Sequence, residues 1–173
     1  MGIIIRKAQA EDAGNIRLIA EKTWPVAYSH IISAAQLSYM IDMMYSLASL
    51  SLSIANEKDY FLIAEDHQGK PTGFAGFRKN FLSNNRFKLD KLYILPEHQG
   101  HGIGKSLIQT ICQIMLQEKV TILELNVNRN NQAKLFYEKM GFKLIRSEDI
   151  DIGNGYFMND YVMELHLDHY QTS

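Results

Sequence analysis

Cysteine is all but missing from this sequence. Cys112 is the single one in 173 residues, which excludes an internal disulfide and fits a reducing, cytoplasmic setting. An excess of one charge is missing too: 18 Lys and Arg stand against 19 Asp and Glu, for a formal net charge of −1. Without a basic surplus there is no bulk attraction to nucleic acid or to an anionic membrane, so neither is expected as a partner. Long hydrophobic runs are lacking, the longest falling far short of the ~20 residues that span a bilayer. The opening "MGIIIRKAQ" has too short an apolar run, and the wrong charge order, for a secretory signal. Nor do the six histidines make a metal site. His98 and His101 flank a glycine-rich segment, and His166 and His169 have no cysteine or carboxylate partners at ligand spacing. What is present is 46% hydrophobic residues in a length that suits one domain, so a single domain over residues 1–173 with a proper core is expected.

Ile3 to Lys7 is a short β-branched run and reads as a strand. Ile16, Ile19, Ala20 and Thr23/Trp24 then fall at helical spacing behind Glu11 and Asp12, whose charges suit a helix N-terminus. Between Pro25 and Asn56 the spacing of Leu37, Met40, Ile41 and Met44 predicts one or two helices without clear stops. Tyr60 to Ala64 and Thr72 to Phe77 read as a hairpin around "DHQGK". From Phe87 to Leu95, simple alternation puts Phe87, Leu89, Lys91, Tyr93 and Leu95 on one face and Lys88, Asp90, Leu92 and Ile94 on the other. Ile103, Leu107, Ile108, Ile111, Ile114 and Met115 trace the apolar stripe of a helix in which Cys112 is a packing residue. A strand from Thr121 to Val127 follows, then a helix through Ala133, Phe136 and Met140 closed by Gly141. Two last strands, from Phe142 to Ile152 and from Tyr156 to Leu167, are joined by "GNG". The order predicts a mixed α/β arrangement with one layer of sheet flanked by helices.

The segment "PEHQGHGIGKSLI", from Pro96 to Ile108, carries glycine at 100, 102 and 104 and then Lys105 as the helical stripe begins. A strand leading into bare backbone N–H groups, and on into a helix N-terminus, is a favourable place for an anion such as phosphate. Glycine lets the backbone approach that anion, and Lys105 can add charge. A nucleotide P-loop, G-x-x-x-x-G-K-S, would need glycine where Gln99 stands, and the next strand, "TILELNV", lacks a closing aspartate. The dinucleotide pattern G-x-G-x-x-G fails as well, because these glycines are spaced by two. On this segment alone an anion cradle and a tight turn with no ligand both stay open.

Gln99-x-x-Gly102-x-Gly104, after a strand and before a helix, resembles the acyl-CoA pyrophosphate loop of the GNAT superfamily of N-acyltransferases. Downstream, "NNQAKLFYEKMGF" is similar to a later motif of the same superfamily, with Asn130, Ala133, Phe136, Tyr137, Gly141 and Phe142 in matching order and spacing. The resemblance covers Phe87 to Phe142 and implies the GNAT fold, α/β with a mostly antiparallel sheet of about seven strands. It also implies acetyl-CoA as cosubstrate and a primary amine as acceptor. Leu92, Tyr93 and Ile94 would pair with the pantetheine amides, and Asn130 would hold the pantetheine arm. Gln99, Gly100, His101, Gly102, Ile103, Gly104 and Lys105 would wrap the pyrophosphate. The sheet would splay between the strands ending near Leu95 and near Val127 to admit the thioester. Tyr137 matches the superfamily's general acid: a phenol with an ordinary pKa of about 10 keeps its proton at pH 7 and can hand it to a CoA thiolate. The plainer reading makes Tyr137 a core tyrosine beside Phe136.

The glutamates that act as base in two branches of the superfamily are replaced here, by Asn126 and by Lys88, so water or another carboxylate such as Asp90 must take the amine's proton. The resemblance places Trp24, Tyr28, Asn126 and Tyr156 toward the acceptor, under segments that also hold Tyr39, Tyr45, Asn159, Asp160 and Tyr161. Glu148, Asp149 and Asp151 could draw in a cation or could form a solvated hairpin surface. The ending "GNGYFMNDYVMEL" looks most like bacterial members that act on polyamines or small amines. Protein N-terminal acetylation and a non-catalytic CoA-binding domain are the alternatives. The sequence leaves the oligomeric state, a homodimer included, open.

Overall fold

A computed structural model of the chain describes residues 2–80, 82–83 and 85–169. In chain order the elements are β1 (Ile4–Lys7), α1 (Ala13–Tyr28), α2 (Ala34–Tyr45), α3 (Leu47–Ala55), β2 (Asp59–Glu65), β3 (Pro71–Lys79), β4 (Arg86–Ile94), α4 (Ile103–Gln117), β5 (Ile122–Asn128), α5 (Ala133–Lys139), β6 (Lys143–Gly153) and β7 (Tyr156–His166). The strands make one sheet in the order β1-β2-β3-β4-β5-β7-β6. Every neighbouring pair is antiparallel except β4 and β5, which gives the mixed, mostly antiparallel sheet that the sequence implied.

Both faces of the sheet carry apolar side chains, and helices close both. The stripe of α4, with Ile103, Leu107, Ile108, Ile111 and Met115, packs with Phe87, Leu89, Leu123, Leu125 and Met163. Cys112 lies in the same cluster, its thiol pushed up to about 12 by burial, so it is a packing residue and no nucleophile. On the other face α1, α2 and α3 set Ile16, Ile19, Trp24, Ile41, Tyr45 and Leu50 against Phe61 and Phe74. Further across the sheet, Lys88, Glu124 and Glu164 stand in register on β4, β5 and β7. There the contacts are ionic: Lys88 and Arg86 both bond Glu124, and Arg86 and His166 both bond Glu164.

Three departures from sequence-based expectation shape the site. Pro25 lies inside α1, which runs on to Tyr28 instead of stopping; the ring forfeits one helical hydrogen bond, but the turn beyond it places Tyr28 against Trp24 at 4.8 Å between ring centroids. The stretch Ala34–Ala55 is 22 residues long and apolar enough in composition to cross a bilayer, contrary to the expectation. Its backbone turns at Ser46 (φ −60°, ψ 142°), which ends α2 and caps α3 through its side chain. Neither the 12 residues of α2 nor the 9 of α3 reach the ~20 that a span needs. The third departure is a β-bulge: Gly76 pairs with Lys91 and Phe77 with Leu89, so Asp90 has no opposite number. Simple alternation therefore fails along β4. Phe87 and Leu89 face the α4 side and so do Leu92 and Ile94, while Tyr93 and Leu95 turn to the α1 side.

Gly73 lets β3 come close to this bulged strand. A Cβ there would lie 2.6 Å from Ile94 Cδ1 and 2.9 Å from the Tyr93 carbonyl oxygen. Gly73→Val is expected to destabilise the fold by about 1–3 kcal/mol, read as a lower urea midpoint at an unchanged slope.

Candidate active site

The bulge and the single parallel joint together open the sheet. β4 pairs with β5 only from Arg86 to Leu89, against Ile122 to Leu125. Beyond Leu89 the two strands part, and β5 continues along β7 as far as Asn128. The gap is a cavity of about 700 Å³ whose walls include Lys91, Leu92, Tyr93 and Ile94 from β4 and Leu125, Asn126 and Val127 from β5. A strand edge without a partner offers free amide and carbonyl groups to whatever extended chain enters.

One end of the cavity is the glycine segment. Gly100 and Gly102 both have φ +79°, a backbone shape that side chains with a Cβ resist, and Gly102 is the N-cap of α4. A Cβ on either would meet nothing within 4 Å, so the glycines are there for backbone shape and not for crowding. The first amide engaged within the protein is that of Ser106, which donates to the Gly102 carbonyl at 3.0 Å. Among the described residues, the amides of 100–105 ahead of it have no partner, and they stand at the positive end of a 15-residue helix. Gly104 has a different reason: a Cβ there would be 3.1 Å from the Phe136 ring, so it allows α4 and α5 to pack closely. The Gln99 side chain donates through Nε2 to the Ile94 carbonyl at 3.1 Å and ties the loop to the end of β4.

Tyr137 stands on the opposite wall, 9% exposed and lodged edge-on between Phe136 and Phe142. Its helix is only seven residues long and is fixed by its end. The Phe142 amide donates to the Tyr137 carbonyl and the Gly141 amide to the Glu138 carbonyl, with Gly141 at φ +97°, a Schellman closure. Burial pushes the phenol above its ordinary value, and the charge of Tyr28 adds to it. The hydroxyl has no hydrogen-bond partner among the described residues and keeps its proton across the physiological range.

A second cavity, of about 510 Å³, lies on the α1–α2 side of the opening. Tyr28, Leu89, Asp90, Lys91, Tyr93 and Asn126 line both, so the two meet at the joint. Tyr28 and Tyr93 touch there through their hydroxyls at 3.2 Å, and Trp24 packs over both rings. Ion pairs line the second cavity's floor. Arg78 holds Asp90 at 2.8 Å, Lys88 holds Glu124 at 2.7 Å and Arg146 holds Glu148 at 2.7 Å. Among the described residues, no group of three His, Cys, Asp or Glu side chains is arranged to hold a metal ion.

A family model described as "Acetyltransferase (GNAT) domain" matches residues 31–165. The chain belongs to the GNAT family. Two GNAT relatives extend the likeness over most of its length. The spermidine N(1)-acetyltransferase of Thermoplasma acidophilum is 29% identical over 165 residues, 95% of this chain and 97% of that one. An uncharacterized N-acetyltransferase of Mycobacterium tuberculosis is 28% identical over 153 residues, 88% of this chain and 96% of the relative. Among solved structures, the PaiA N-acetyltransferase of T. acidophilum in complex with coenzyme A superposes with a TM-score of 0.82 at 30% identity, covering 96% of this chain and 99% of that one. The protein is accordingly an N-acetyltransferase of the GNAT type.

Most residues that the GNAT motifs singled out gather on the first cavity: Leu92, Tyr93, Ile94, Gln99, Gly100, Gly102, Ile103, Gly104, Lys105 and Tyr137. His101 does not line it; its ring meets the His98 carbonyl at 3.2 Å instead. Asn130 is exposed and off the wall, which takes Asn131 in its place, because Asn130 turns outward as its amide bonds back to Asn128 Oδ1. Of the acceptor-side candidates, Tyr28 and Asn126 reach the joint and Trp24 lines the second cavity. Tyr156 lines neither and packs at a tilt against Tyr39, 5.5 Å between ring centroids. Asp90 is tied up by Arg78, and the acidic run is divided: Glu148 faces Arg146, Asp149 faces Arg129, and Asp151 caps the Gly153 amide. Sequence reasoning did not single out Lys91, and it named Asp160 only among the residues of the segments toward the acceptor. Lys91 faces the site because of the bulge, and Asp160 because of cross-strand register.

Proposed function

We propose that the protein transfers an acetyl group from acetyl-CoA to a primary amine of the polyamine or small-amine kind, within a single domain. The observation that carries the reading is the joint itself, where a cavity ending in free amides on one side of the sheet meets a cavity walled by aromatic rings and carboxylates on the other. The name of the T. acidophilum relative, a spermidine acetyltransferase, supports an amine acceptor. In this reading the amides of residues 100–105 and Lys105 hold the pyrophosphate, for which bare backbone at a helix N-terminus is suited. The partnerless edge of β4 from Lys91 to Ile94 pairs with the pantetheine amides, and Asn131 lies beside that arm. Acetyl-CoA supplies an acyl group activated as a thioester. Tyr137 supplies the proton that the departing sulfur needs. Its raised pKa makes it a weak acid, but the burial that raises it also raises the proton affinity of a thiolate released into the same cavity, so donor and acceptor stay matched.

Thiol release from acetyl-CoA against spermidine, spermine, putrescine, free amino acids and short peptides tests the reading. The expected result is turnover with polyamines well above that with peptides. Preference for a peptide N-terminus would replace it with protein acetylation, and CoA binding without turnover on any amine would leave a binding domain.

A further inference from the structure

Four carboxylates are buried among the described residues: Asp12, Glu124, Asp160 and Glu164. Three have cations. Arg6 holds Asp12, Arg86 and Lys88 hold Glu124, and Arg86 and His166 hold Glu164. Asp160, 2% exposed, has no ion pair among the described residues. Its side chain takes one hydrogen bond, from Asn126 Nδ2 at 3.3 Å, and that same amide is shared with Glu148 at 3.4 Å. Burying a charge without a partner is costly, and folds seldom keep one that nothing uses.

Its surroundings show what would complete it. Asp160 lines the second cavity, along with Trp24, Tyr28 and Tyr93. The nearby cations are committed elsewhere: Lys88 to Glu124 and Asn126, Arg146 to Glu148, Arg129 to Asp149. Lys91, the other unpaired charge on that wall, sits over the Tyr45 ring at 5.5 Å, and burial lowers its pKa. An entering ammonium would therefore meet one unmatched carboxylate and three aromatic rings, which is what a cation binds.

We propose that Asp160 receives the acceptor: its carboxylate pairs with the incoming primary ammonium and takes one of its protons, freeing the lone pair that attacks the acetyl carbonyl. The inference rests on the amine-acetylating reading above. As the N–C bond forms, the C–S bond breaks. The nitrogen loses two protons in all: one goes to Asp160 and from there to solvent, and the other replaces the proton that Tyr137 gives to the sulfur. Burial raises the Asp160 pKa, opposed by the Asn126 bond and by the charges of Lys88 and Arg129 and aided by Glu148. A carboxylate so placed is a stronger base than an exposed one.

The raised value also sets a sign for stability. The folded state holds the Asp160 proton more tightly than the unfolded chain, so the cost of this carboxylate is absent below the ordinary aspartate pKa and develops as pH rises through the raised one. Asp160→Asn keeps the shape and removes the charge, so at pH 7 its melting temperature should equal or exceed that of the parent. Calorimetry of spermidine into the CoA-loaded protein should show affinity falling by about 30-fold or more in this variant. Turnover with spermidine should fall and lose its acid limb, while an alkoxyamine, already unprotonated at neutral pH, should be acetylated nearly as well as by the parent. Equal spermidine affinity in parent and variant, or equal losses with both acceptors, would overturn the proposal. A parent that binds CoA but neither binds nor acetylates any amine would instead overturn the amine reading, and this inference with it.

Discussion

Tyr137→Phe should lower turnover by about 100- to 10,000-fold while leaving CoA affinity in place. The substitution is clean because the hydroxyl it removes has no partner among the described residues, so no bond is broken and no polar atom is orphaned. Both ring contacts, to Phe136 at 5.3 Å and Phe142 at 5.5 Å, survive in a phenylalanine. Stability should change by no more than about 0.5 kcal/mol. A drop in rate then reports the loss of a proton donor and nothing else. Steady-state kinetics at saturating acetyl-CoA, paired with CoA calorimetry, is the measurement. Unchanged turnover would make Tyr137 the plain core tyrosine that its packing also allows.

Gly102→Val should cost CoA affinity on the order of 100-fold or more, because it disturbs several charge-assisted amide contacts of about 1.5–3 kcal/mol each. There is room for the new side chain, since nothing lies within 4 Å of a Cβ at that place. The damage comes from φ +79°, which valine resists, so the backbone should rotate and carry the neighbouring amides out of alignment. α4 should stay in place, held by the buried Ile103, Leu107, Ile108 and Ile111. Gly104→Ala is the informative control, because it presses on the Phe136 ring at 3.1 Å with no positive φ to relieve. A comparable loss there would point to packing between α4 and α5 as the cause. Retained affinity in Gly102→Val would reduce the loop to a turn with no ligand.

The glycine loop and the α5 segment were legible in the sequence because their chemistry is local. A glycine that must adopt positive φ, a helix N-terminus and a Gly141 closure each announce themselves within a few residues. The succession of strands and helices along the chain was legible too, since apolar spacing and "GNG" are short-range signals. What the sequence hid depends on partners far along the chain. Ser46 ends one helix and caps the next without glycine or proline, so the sequence left open whether one helix or two lay there. The helix read as far as Trp24 runs on through Pro25, where the packing of Tyr28 on Trp24 offsets the lost hydrogen bond. The acidic run at 148–151 looked like one feature, yet cross-strand register gives each carboxylate its own partner. Asp160 shows no local distinction at all, and its isolation becomes visible only once every other buried carboxylate has been matched to its cation.

The bulge at Asp90 carries a lesson for reading other chains. An unbroken strand repeats its hydrophobic parity every second residue, but here the inward residues fall at Phe87, Leu89, Leu92 and Ile94, intervals of two, three and two. That single odd step falls where β4 leaves β5, while β4 stays paired with β3 as far as Ile94. A strand whose parity shifts once in this way, shortly before a glycine-rich helix start, is a pattern that a two-residue template discards as noise. It is also one that can be sought directly in sequences where the loop and the tyrosine have drifted beyond recognition.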